Sequence, residues 1–208
     1  MLAICLCMSS LLLAAIAGLW VSLFVVLYLM INVGYCLQWK HIPLVDVFLI
    51  SGGFMLRILA GTVGFNIFPS SWLLLCGFML TLFLGFSKRQ AELLVVGKRK
   101  SLGPVRTRQV LDQYSPEMIE QFTAISAACV IISYSLYTVS PETVNLHHTT
   151  ALIYTVPFVI YGIFRYLFLL QGGKGGNDTA RDLVCDRHLL VTGTLWIVVT
   201  GGIIFWAR

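Results

Sequence analysis

Apolar residues run almost unbroken through the start of the chain, and no Asp, Glu, Lys or Arg occurs before Lys40. A helix needs about 20 apolar residues to cross the hydrocarbon of a bilayer, so this run is long enough for two crossings. Further apolar stretches follow, separated by short breaks that carry charge, glycine or proline. Together they predict seven membrane helices near 1–17, 20–37, 44–64, 70–87, 119–139, 149–171 and 189–207. Backbone exposed to lipid must satisfy its own hydrogen bonds, which makes each stretch a helix. The expected fold is all-α: a polytopic membrane helix bundle of about seven transmembrane helices, forming one transmembrane domain over 1–208. A cleavable signal peptide competes for the first stretch, but Met1-Leu2-Ala3-Ile4-Cys5 lacks the positive start of such a peptide and the apolar run is too long.

Charge orients the bundle. Lysine and arginine gather around Lys40, over 88–118 and around Lys174, Arg181 and Arg187. The intervening connections are nearly free of charge: Gly64–Ser70 has none, and Ser140–His148 has only Glu142 and two histidines. The positive-inside bias then puts the three basic loops on the cytoplasmic face of the plasma (inner) membrane. The 88–118 segment reads as a cytoplasmic basic loop with one or two short surface helices. Its Ser115-Pro116-Glu117 has the form of an N-cap followed by proline at the first helical position.

Composition agrees. Residues are 58% hydrophobic and 11% charged, against about 25% charged in soluble domains. The net charge of +5 lies beside the spans, which fits anionic lipid headgroups and no nucleic acid. The six cysteines form no CxxC pair and lie mostly in apolar stretches, which predicts neither disulfide nor zinc. The four histidines fall on opposite sides of the membrane and predict no shared metal site.

Candidate chemistry lies at the span ends. Tyr35, Lys40 and Asp46 converge on one cytoplasmic turn, where Trp39 reads as an interfacial anchor. A carboxylate entering an apolar span is costly without a partner, and so is an arginine within one. Arg57 stands eleven residues beyond Asp46, about three helical turns, so both share a face. Arg165 is embedded in Phe164-Arg165-Tyr166; a polar cavity, a carboxylate partner or snorkelling to the interface would each accommodate it. Lys88 and Glu92 are four apart and share a face, as an interfacial salt bridge or as part of a site, with Arg89 beside them. If 178–186 is helical, Asp178, Asp182 and Asp186 form an acidic ridge able to hold Mg²⁺ against a pyrophosphate; the plainer alternative is a solvated loop balanced by Arg181 and Arg187.

In this order the clusters resemble the UbiA superfamily of intramembrane prenyltransferases, closest to its decaprenyl-phosphate phosphoribosyltransferase branch. Tyr35 to Asp46 is similar to that branch's Y-S-x-x-L-K-x-x-P-L-x-D pattern, with Cys36 and Trp39 as departures. Gly53 to Gly61, Lys88-Arg89-x-x-Glu92, Tyr134-Ser135-Leu136-Tyr137-Thr138, Phe164-Arg165-Tyr166 and Asp186-Arg187 extend the match. The resemblance implies a Mg²⁺-dependent transfer of 5-phosphoribosyl from phosphoribosyl pyrophosphate to a polyprenyl phosphate, feeding arabinose-containing envelope polymers. It implies Lys40, Asp46, Lys88, Arg89 and Glu92 as catalytic residues, Tyr35, Arg57, Arg165, Tyr166 and Arg187 as substrate-binding, and Glu92, Asp178, Asp182 and Asp186 as metal ligands.

The superfamily's first aspartate-rich motif has no counterpart ahead of the first apolar run. This implies a fragment, the later part of a split enzyme or a degenerate relative, whose partner would be a separate N-terminal half or further copies in a homo-oligomer. Two other functions compete: a prenyltransferase joining a prenyl diphosphate to an aromatic acceptor, and a non-catalytic membrane subunit on the same scaffold. The first usually carries a second aspartate-rich motif where this chain has Lys88-Arg89-Gln90-Ala91-Glu92.

Overall fold

The apolar stretches are helices in the computed structural model, which describes residues 2–65, 67, 69–99, 113–172 and 184–207, with side chains for all but 2–7 and 95–99. Among these residues there are eight α-helices and two 3-10 turns and no strand. Six helical segments are long and apolar enough to cross a membrane, making this a multi-pass membrane protein. The helix expected as the first span, α1 (Leu2–Ala17), has 16 residues and is about 24 Å long at 1.5 Å per residue, short of a hydrocarbon core of about 30 Å. The chain divides into two compact units, Met1–Pro69 and Ser70–Arg208.

In the first unit α1 ends at Gly18, whose φ of 133° and ψ of 166° are open only to glycine, and α2 (Leu19–Leu37) starts in a new direction. A 3-10 turn, Trp39–His41, then leads into α3 (Val45–Gly64). Two close approaches shape this connection. A Cβ on Gly34 would fall 2.4–2.8 Å from the Trp39 ring, so the indole lies against bare backbone. The Val45 N–H donates to the Pro43 carbonyl at 2.8 Å, closing a γ-turn on Leu44 at φ 66° and ψ −47°. That conformation is rare for a residue with a Cβ. It delivers Asp46, 1% exposed, into the buried first turn of α3.

The second unit contains α4 (Ser71–Arg99), α5 (Pro116–Val139), α6 (Pro141–His147), a 3-10 turn at Ala151–Thr155, α7 (Val156–Gln171) and α8 (Arg187–Trp206). Its core joins Phe83, Ala127, Val130, Ile163, Tyr166, Leu169 and Leu189. The Phe83 and Tyr166 rings meet edge to face, with centroids 5.5 Å apart, and Phe86 tilts against Phe122 at 5.6 Å. Ser115 caps α5 by accepting the Met118 N–H at 3.1 Å, with Pro116 opening the helix as its sequence predicts. Hydroxyls along α5 satisfy themselves within the helix: Thr123 donates to Ile119, Ser126 to Phe122 and Ser133 to Cys129. Small polar residues can therefore face neighbouring helices without unmet hydrogen bonds.

One boundary differs from expectation. The fourth span was expected to end at residue 87, with a basic loop after it, but α4 continues through Arg99. Ser87 to Val96 contains no proline or glycine and is rich in helix-favouring Lys, Arg, Gln, Ala, Glu and Leu, so nothing local stops the helix where the hydropathy falls.

Candidate functional site

The first unit holds a small polar niche between α2 and α3. Arg57 donates from Nη2 to the Tyr28 hydroxyl. Its guanidinium carbon lies 4.6 Å from the centroid of the Tyr28 ring and 5.3 Å from that of Phe54. Asn32 donates to the Tyr28 carbonyl at 2.8 Å, which fixes its amide and leaves the carbonyl oxygen uncommitted. Together with Tyr35 and Gly53 these residues line an open cleft of about 100 Å³, room for a phosphate-sized group.

The cation expected to need a carboxylate has found aromatic rings instead. Cation–π contact stabilises a desolvated guanidinium without neutralising it. Arginine carries five N–H donors in a fork suited to carboxylate or phosphate. Among the described residues only the Tyr28 hydroxyl accepts from Arg57, so most of that fork is available. Asp46 does not supply the partner: eleven residues of helix separate the two by about 16 Å despite their common face, and Asp46 is buried while Arg57 is exposed. Lys40 stands half-buried on the 3-10 turn and makes no ion pair with any described residue, Asp46 included.

In the second unit α4 buries polar groups between Ser87 and Gln90. Arg89 is 3% exposed and donates from Nη1 to Glu92 Oε2 at 2.8 Å. Glu92 therefore pairs with Arg89, three residues away, and not with Lys88 as the i,i+4 spacing suggested; Lys88 is exposed. The buried Ser87 hydroxyl and Gln90 side-chain oxygen beside them have no hydrogen-bond partner among the described residues. This is an unusually polar buried stretch of helix.

The α7–α8 pair holds the other expected residues. Arg165 binds Asp186 through Nε to Oδ1 at 3.2 Å and Nη2 to Oδ2 at 2.7 Å, with Phe168 5.4 Å from the guanidinium carbon. Asp186 also accepts the Leu189 N–H at 3.0 Å and so caps α8. The Arg165 hydrogen bond leads the causes that hold the Asp186 carboxyl down at about 2, with the Leu189 N–H adding to it. Tyr166 packs in the core at 4% exposure, against Phe83 and away from the exposed surface. Arg187 is exposed, and its neighbour His188 bonds through Nδ1 to the Tyr161 hydroxyl at 3.0 Å.

The residues expected to hold Mg²⁺ do not assemble a site among those described. Asp186 breaks the proposed ridge: its backbone is extended, at φ −85° and ψ 114°, so it cannot continue a helix from Asp178 and Asp182. Both its oxygens are already engaged, and one Glu92 oxygen is held by Arg89. No cluster of three His, Cys, Asp or Glu able to hold a metal occurs among the described residues. Asp178 and Asp182 lie outside them.

No family model matches the chain. Whole-chain comparison does find relatives. A decaprenyl-phosphate phosphoribosyltransferase of Corynebacterium glutamicum is 34% identical over 174 residues, covering 82% of this chain and 50% of the relative. The chain is a homologue of the decaprenyl-phosphate phosphoribosyltransferases. Enzymes of that name from Mycolicibacterium smegmatis and Mycobacterium tuberculosis are 29% and 28% identical, over 86% and 90% of this chain. The kinship is consistent with the UbiA superfamily resemblance. This chain spans 50% to 61% of the length of these curated relatives.

Tyr28, Asn32, Tyr161 and His188 were not anticipated as site residues. An aromatic or amide inside an apolar run looks like ordinary span composition until the facing helix is known. His188 carried a weak signal, since it follows Asp186-Arg187 at the start of a span.

Proposed function

We propose that the chain belongs to a membrane enzyme that transfers a 5-phosphoribosyl group from phosphoribosyl pyrophosphate to a polyprenyl phosphate, on the cytoplasmic face of the plasma membrane. The single observation that carries this reading is the 34% identity to a decaprenyl-phosphate phosphoribosyltransferase over 82% of the chain. The product would supply arabinose-containing envelope polymers.

The side chains suit the chemistry. A lipid phosphate oxygen attacks C1 of the ribose, the bond from C1 to the pyrophosphate oxygen breaks, and pyrophosphate leaves with the electron pair. The nucleophile is already anionic, so no protein base has to remove a proton. What the protein must do is hold several phosphate oxygens and stabilise the charge that develops on the leaving group. The available fork of Arg57, in a cleft with the Tyr35 hydroxyl, suits one phosphate; Lys40, Lys88 and Arg187 are further exposed or half-buried cations.

Equilibrium binding tests the reading on this chain's own residues. Purified protein in nanodiscs should bind phosphoribosyl pyrophosphate and a polyprenyl phosphate, and Arg57→Ala should weaken binding of one of them by about tenfold or more, the usual scale for a lost charge-assisted hydrogen bond. Preferential binding of a prenyl diphosphate and an aromatic acid would favour a prenyltransferase.

A further inference from the structure

The seam between α7 and α8 carries a second feature, which includes Arg187, one of the cations named for that reaction. Tyr161, Arg187, His188, Val191 and Thr192 line an open depression of about 470 Å³. Arg165 and Asp186 neutralise each other through their two-pronged pair. Arg187 is left with no hydrogen bond or ion pair to any described residue. His188 is fixed by Tyr161 through Nδ1, which leaves its Nε2 uncommitted. Among the described residues the depression therefore carries surplus positive charge, with two oriented polar groups beside it.

Its position along α8 identifies the kind of ligand. The membrane span begins at Arg187, which puts Arg187 and His188 at the end of the helix. Steps of three and four residues lead from them to exposed Val191 and Leu195 and to Thr192. The Thr192 hydroxyl is spent on the His188 carbonyl at 2.7 Å, so its methyl-bearing face is what remains. Charge at the helix end followed by apolar surface into the span matches an amphiphile with an anionic head and hydrocarbon tails.

We propose that this seam is a binding site for a phosphate group, presented by an anionic membrane phospholipid whose tails lie along the apolar side of α8. Arg187 grips the phosphate oxygens, and His188, held by Tyr161, donates from Nε2. Basic pockets between membrane helices are suited to such headgroups. The proposal rests on the α7–α8 geometry and does not depend on the transferase reading.

Native mass spectrometry of the detergent-purified chain, titrated with phosphatidylglycerol or phosphatidylcholine, reads the site directly. Phosphatidylglycerol should be retained preferentially, and Arg187→Ala should reduce that preference about fivefold, the scale for one basic group at an anionic lipid surface. Tyr161→Phe, which releases His188 without removing charge, should reduce it less, and His147→Ala at the end of α6 should leave it unchanged. Inorganic pyrophosphate is the second arm. If it binds in an Arg187-dependent way while lipid preference is absent, the phosphate site stands with a soluble ligand as its source. If neither phosphatidylglycerol nor pyrophosphate binding responds to Arg187→Ala, the proposal is overturned.

Discussion

Arg165 and Asp186, twenty-one positions apart in sequence, close a two-pronged ion pair that ties the end of α7 to the start of α8. One carboxylate oxygen also caps α8 through the Leu189 N–H. Asp186→Ala should lower the detergent melting temperature through loss of the cap, worth about 1 kcal/mol on its own, and of the pair. Asp186→Asn keeps a capping oxygen and should cost less.

The same pair predicts a pH dependence. The folded-state carboxyl of Asp186 is depressed from 3.8 to about 2. A depressed carboxyl adds stability above its unfolded value and loses it as pH falls through the folded one. Melting temperature should therefore drop between about pH 4 and pH 2 in the parent, and Asp186→Asn should remove that component. An unchanged profile would show that the pair contributes nothing.

Trp196, Tyr134 and Thr155 form a directed chain of hydrogen bonds. Trp196 Nε1 donates to the Tyr134 hydroxyl at 2.8 Å, which lies 2.7 Å from Thr155 Oγ1, and Thr155 donates to the Leu152 carbonyl at 2.6 Å. Because Thr155 spends its proton on Leu152, Tyr134 is the donor between them. Tyr134→Phe should cost about 1–3 kcal/mol, the range for orphaning a buried polar group. Combined with Thr155→Val the loss should fall short of the sum, as expected within one network, measured by chemical unfolding in detergent.

Much of this was legible in the sequence, and the misses have identifiable physical origins. The span positions follow from hydropathy alone, and Ser115-Pro116 announced the start of α5. Arg57 and Arg165 stood out because a cation in an apolar run needs an explanation. What completes each of them lies on another helix, Tyr28 on α2 and Asp186 at the start of α8, and periodicity along one helix cannot reveal it. Asp186 was assigned to an acidic ridge by assuming helical continuity from Asp178. The N-cap signal, an aspartate directly before a long apolar helix, was present and pointed the other way. Pairing Glu92 with Lys88 rather than Arg89 was a choice between two allowed spacings that burial decides.

Orientation is open to a labelling test. The basic loops imply that Glu117 is cytoplasmic and Leu146 external. In a background lacking native cysteines, Leu146→Cys should react with a membrane-impermeant maleimide on intact cells, and Glu117→Cys only after permeabilisation. The reverse pattern would invert the topology.

Arg57 should resist conservative replacement. Lysine retains the charge but neither the planar fork nor its stacking between Tyr28 and Phe54. If the cleft holds a substrate phosphate, Arg57→Lys should lose about tenfold in affinity, close to Arg57→Ala, whereas a purely electrostatic role would be largely rescued. Binding isotherms of the two variants separate these cases.

The most direct measurement is transfer itself. Purified chain, alone and completed to the full length its relatives possess, is incubated with phosphoribosyl pyrophosphate and a polyprenyl phosphate, and the lipid fraction is read by mass spectrometry. The account predicts a polyprenyl-phosphoryl-phosphoribose product with one pyrophosphate released per molecule formed, and its loss in Arg57→Ala. A prenylated aromatic product from prenyl diphosphate, with no phosphoribosyl lipid from either form of the protein, would contradict it.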